Sequence, residues 1–141
     1  MLNILMEASQ NFCIHQIRVP YEIVDNMTKM RTVIAYIDIE TLNGKKKHRV
    51  YIGATPSFAQ RISTLLLEEN ESDEDTLIDM ILETTNLIVG SAKVLAENID
   101  EYSYTMSTPY FEKIDSFDFA YDQAKVLRVE NDEMIIAIKE L

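Results

Sequence analysis

The chain has 141 residues, 47% hydrophobic and 26% charged, which suits one globular domain spanning 1–141 with a core of its own. Its formal net charge of −11, from 24 acidic residues against 13 Lys and Arg, disfavours nucleic acid as a partner, because phosphate binding needs concentrated cations. Three Gly, three Pro and one Cys leave no material for low-complexity linkers, an internal disulfide or a thiolate metal cluster, and the apolar stretches are too short and too charged to span a bilayer.

Ile4, Leu5, Ala8 and Phe12 predict an opening helix from Asn3 to about His15. No basic stretch precedes these apolar residues, so the protein is expected to be cytoplasmic rather than exported. Cys13 falls within the same amphipathic pattern and reads as an inert core thiol. After Pro20, a first strand is expected through Tyr21 to Val24, closed by a turn at Asp25-Asn26. Residues 31 to 40 are rich in β-branched side chains, with Val33, Ala35, Ile37 and Ile39 on one face and Ile34, Tyr36 and Asp38 on the other. Asn43-Gly44 signals a hairpin, returning through Val50, Tyr51 and Ile52, and the cations from Lys45 to Arg49 read as its solvated tip.

Thr55-Pro56 begins a short helix, a capping side chain followed by proline at the first helical position, ending near Asn70. The acidic run from Glu71 to Asp75 suits the start of a second, long helix at about 73 to 97, with Ser72 and Asp75 placed as a capping box. Its acids lack the loop glycine and closing Glu of a calcium site. Tyr102, Tyr104 and Met106 alternate with polar residues as a half-buried strand, and residues 110 to 123, with five aromatics among acids, suggest an insertion or a surface helix. Two last strands, 125 to 130 and 134 to 139, flank a turn at Asn131-Asp132. The expected fold is α+β: a mostly antiparallel sheet with two central helices packed over it, plus the N-terminal helix.

The long helix has two distinct faces. At about 100° per residue, Asp79, Glu83, Asn86 and Gly90 fall in one narrow stripe, while Ile78, Ile81, Thr85, Ile88, Ala92 and Leu95 form a core-facing seam opposite. An exposed stripe that is short, polar and ends in glycine admits another backbone closely. Met80, Leu87 and Val94 flank it, as core edge or as apolar contacts to a partner. The stem of Lys93 is expected to cover apolar surface, and His15 and His48 have no acid or nucleophile partner in the pattern, so both read as structural or solvent-facing. No glycine-rich phosphate loop is present, and the seven Met read as core filler.

The run Asp79-x3-Glu83-x2-Asn86, with 22 residues between Asn86 and Pro109, resembles the signature of the CheC–FliY–CheX family of chemotaxis phosphatases. The stretch Glu83-Thr-Thr-Asn86-Leu-Ile-Val-Gly90-Ser-Ala92-Lys93 is similar to the core of that motif, and the order of elements matches along nearly the whole chain. One copy of the Glu-x2-Asn pair is present, so the resemblance is to the single-motif CheX type, whose members act as homodimers. The resemblance implies a substrate, the aspartyl phosphate of a CheY-like chemotaxis response regulator, which brings its own Mg2+ and lysine; no cofactor is implied for this chain. It further implies that Asn86 orients the attacking water and that Glu83 pairs with the regulator's active-site lysine. Asp79 would be a rim residue, Gly90 would keep the docking surface flat, and Pro109 would shape a bend. The alternative implied by the same fold is a non-catalytic module that binds the phosphorylated regulator or the flagellar switch, and a plain dimeric scaffold is a third reading.

Overall fold

The computed structural model describes residues 1–27, 29–98 and 103–141. Helix α1, Leu2–Phe12, runs on into a π-helical turn, Cys13–Ile17, ended by Arg18 in the left-handed conformation at φ 60°. Strands β1 (Glu22–Val24), β2 (Arg31–Thr41) and β3 (Lys47–Ala54) follow, then helices α2 (Pro56–Leu67) and α3 (Glu74–Glu97), then β4 (Tyr104–Met106), β5 (Tyr110–Ser116), β6 (Gln123–Val129) and β7 (Asp132–Glu140). All pairings are antiparallel, in the order β1-β6-β7-β3-β2-β4, with β5 lying beside β4 along the same edge of β2. The architecture is the expected α+β one.

Alternation along the strands produces two cores. Val33, Ala35, Ile37 and Ile39 of β2 join Val50 and Ile52 of β3 and Met134, Ile136 and Ile138 of β7 on the helix-covered face. Ile34 and Tyr36 point the other way, to a smaller cluster with Tyr51, Val126, Ile135 and Ala137. That second face is closed by the segment after β5, where Phe119 stacks on Tyr51 with ring centroids 4.9 Å apart and Phe117 meets the same ring edge-on. Residues 110 to 123 are therefore neither an insertion nor a surface helix. Their first half is an edge strand pairing with Arg31–Tyr36, and their second half is an aromatic strap.

Other boundaries move for local reasons. Helix α2 stops at Leu67, short of Asn70, because Glu68 turns left-handed at φ 58° and its N–H donates to the Thr64 carbonyl. The cap of α3 is Asp73, whose carboxylate accepts from the Thr76 N–H at 2.8 Å; Ser72 faces Ser63 and Glu69 instead. The last hairpin turns at Glu130-Asn131, one residue early, since Val129 and Asp132 already pair and Glu130 adopts φ 55°. Tyr102, placed by pattern at the head of the β4 strand, lies outside the described residues. Among the described residues, no helix is long and apolar enough to cross a membrane.

Candidate functional site

Helix α3 lies across β2, β3 and β4, with α1 on one flank and α2 on the other, so only a strip of its surface reaches solvent. Which strip is decided by the buried side. Ile81, Thr84, Thr85, Ile88, Val89, Ala92 and Ala96 are buried, and the two threonine hydroxyls donate to the carbonyls of Met80 and Ile81 at 2.7 Å, which satisfies them without a partner from elsewhere. Because Thr84 and Thr85 point inward, their neighbours Glu83 and Asn86 are forced outward. Tyr104, itself buried, donates its hydroxyl to the Val89 carbonyl at 2.6 Å and pins the middle of the helix to β4; burial pushes this phenol's pKa upward.

The structure places Asp79, Glu83 and Asn86 on the exposed strip, with Gly90 half-buried at its end. Among the described residues, none of these three side chains takes part in a hydrogen bond or an ion pair. A Cβ built on Gly90 would meet nothing within 4 Å. Packing inside the chain thus gives no reason for glycine there, although glycine in a helix interior costs stability relative to alanine. Toward the N-terminal end of α3, exposed Asp73, Glu74 and Asp75 extend the acidic character of the strip, which presents negative charge to whatever approaches.

The flanking residues divide. Met80 is core, only 9% exposed, whereas Leu87 and Val94 are 40% and 61% exposed beside the strip. Lys93 is half-buried. Leu87 and Ser91 also border a groove between α3 and α1, floored by Ala8, Phe12 and Ile88. Helical periodicity gave no sign of this groove, because it depends on where α1 packs; the only trace in the sequence was Leu87 at the edge of the polar stripe.

Pro109 follows β4, one of the strands beneath α3. It sits in the break between β4 and β5, where Ser107 bonds both backbone groups of Asp38, the Ser107 N–H to the carbonyl at 2.8 Å and the Asp38 N–H to the Ser107 hydroxyl at 3.0 Å. A residue without an N–H fits a gap in an edge ladder. Cys13 is fully buried and its thiol is pushed up to about 11 by that burial, too high for a nucleophile near neutrality. His15 is exposed on the π-helical turn. His48 is half-buried with its Nδ1 unpartnered, and desolvation lowers its pKa, partly opposed by Glu140. Among the described residues no three His, Cys, Asp or Glu side chains gather as a metal site. Chemically, the strip offers an uncommitted carboxamide one turn from an uncommitted carboxylate, on a helix fixed from beneath.

A family model described as chemotaxis phosphatase CheX matches residues 34–130. No curated protein matches the chain. Among solved structures, the chain is similar to chemotaxis protein CheX from Vibrio vulnificus, at 17% identity and TM-score 0.77 over 99% of this chain and 97% of that one. It is likewise similar to a CheX from Desulfovibrio desulfuricans, at 15% identity and TM-score 0.76 with 99% and 97% covered. A third similar structure, at 15% identity and TM-score 0.67 with 99% and 97% covered, is from Borrelia burgdorferi, a complex of CheX, CheY, BeF3 and Mg2+.

Proposed function

This chain belongs to the CheX family of chemotaxis phosphatases, and on that premise we propose that it hydrolyses the aspartyl phosphate of a CheY-like response regulator, working through Asn86 and Glu83. One observation carries the reading: both side chains stand outward on a clamped helix with no partner among the described residues. The regulator brings the phosphoryl group, its Mg2+ and a lysine. What it lacks is a water held in line with the bond to be broken, and positioning of that kind is where phosphoryl-transfer catalysis has most to gain. The Asn86 carboxamide accepts a hydrogen from that water and donates to it without bringing negative charge against the phosphate. Water oxygen bonds to phosphorus as the bond to the aspartyl oxygen breaks, releasing inorganic phosphate and regenerating the carboxylate.

Glu83, one turn earlier, pairs with the regulator's lysine and sets the register; Asp79 lies at the rim, and Gly90 lets the regulator's backbone come close. The test is loss of phosphate from a phosphorylated regulator. Asn86→Ala is expected to lower turnover about a hundredfold while circular dichroism and binding to the beryllofluoride-activated regulator persist. Undiminished turnover would remove the mechanism and leave the docking module.

The protein is further proposed to be a homodimer. Among the described residues, β4 and β5 pair with β2 on one side and leave the other side as an open edge, along which Tyr110 and Phe111 are exposed. Such an edge is a template for strand pairing with a second copy.

A further inference from the structure

The groove between α1 and α3 is unclaimed by the mechanism, yet it adjoins Asn86 and Gly90 on the strip. Leu87 follows Asn86 directly, and Ser91 follows Gly90. At about 1.5 Å of rise per residue, Ser91 lies only roughly 7–8 Å along the axis from Asn86. A standard protein interface buries about 800 Å² on each partner, a disc of roughly 16 Å radius, so a regulator centred on Asn86 must cover the groove as well.

The groove is built for a side chain of one character. Its volume is about 180 Å³, its floor is apolar, and none of the residues lining it carries a formal charge with histidine neutral, in contrast to the acidic strip beside it. Its far wall is the π-helical turn, in which the Arg18 N–H reaches back to the Cys13 carbonyl at 2.7 Å and the Arg18 Nε donates to the His15 carbonyl. The wide turn buries Cys13 and Ile17 together and leaves His15 and Gln16 on the rim. Turns of this type recur where a helix has been adapted to a function.

Resting on the phosphatase reading, we propose that this groove receives an uncharged, apolar side chain projecting from the regulator beside its phosphorylation pocket, and that Leu87 and Ser91 set the tightness of docking. The acids of the strip then act on charge and register, and the groove supplies the desolvated anchor that usually dominates interface energetics. A second copy of this chain or a small molecule in the groove would instead leave regulator affinity indifferent to it.

Two charge-neutral substitutions test the proposal, Ser91→Trp to fill the groove and Leu87→Gln to remove its apolar wall while keeping a good helix former. Binding is measured to a CheY-type receiver domain of the same organism, activated with beryllofluoride and Mg2+, and turnover to its phosphorylated form. Both variants are expected to weaken binding by about tenfold, to raise KM in parallel with kcat kept, and to retain the parent's salt dependence, since no charge has changed. Parent-level affinity in both variants, with melting curves showing them folded, overturns the groove's role even if Asn86→Ala has lost turnover. Parent-level turnover in Asn86→Ala strikes the phosphatase reading instead, and the two failures are read from different measurements.

Discussion

Gly90 is the residue whose presence the chain itself does least to explain. Its helical position is open to a methyl group, so Gly90→Ala is expected to raise stability by about 0.5–1 kcal/mol, read from thermal or denaturant unfolding. Gly90→Leu should fold equally well and weaken binding of the activated regulator, separating the needs of the fold from those of the partner. Glu83→Lys is expected to weaken docking by tenfold or more at low salt, by setting a cation against the regulator's lysine; unchanged affinity by titration calorimetry would contradict the pairing. The stripe of Asp79, Glu83, Asn86 and Gly90 was legible in the sequence because a period of 3.6 fixes relative direction along one helix. Met80, Leu87 and Val94 were not, because they lie at the boundary of the stripe, where the position of a neighbouring helix decides between burial and exposure.

At the scale of elements, α3 is held at its start by Asp73 and at its middle by Tyr104. Hydrogen bonding from Thr76, first from its side chain and then from its backbone N–H, holds the Asp73 carboxyl below its usual 3.8. A depressed carboxyl contributes stability that is present above its unfolded pKa and lost as pH falls through the native one. Helix content at 222 nm is therefore expected to fall as the pH drops below the ordinary carboxylate range in the parent, and that step should be smaller in Asp73→Ala. Tyr104→Phe removes the bond to the Val89 carbonyl and is expected to cost about 1 kcal/mol, a drop in Tm of roughly 2–5 °C. Elements with a strong period, such as β2 and α3, were read from sequence nearly to their ends. The cap at Asp73 was displaced by one residue, since Ser72 is drawn into contacts with α2 that no local pattern records. Residues 110 to 123 were misread because an edge strand whose faces are both half-open loses the alternation that marks a strand.

In the whole molecule, the helices cover one face of the sheet and the aromatic strap covers the other, leaving the strand edges as the parts of the backbone still open to pairing. Sedimentation at micromolar concentration is expected to show a dimer through the β4–β5 edge, and Phe111→Lys, which places a cation on that edge, should shift it toward monomer. A single monomeric boundary in the parent would exclude that assembly. The central amides of α3 are already closed off by the strands beneath and by the Tyr104 clamp, so they should exchange with deuterium only when the entire domain opens. A bound regulator can add little protection to amides that are already so slow. Its imprint should be sought in the wide last turn before Arg18, where the backbone lies at the surface and the contrast between free and occupied protein is largest.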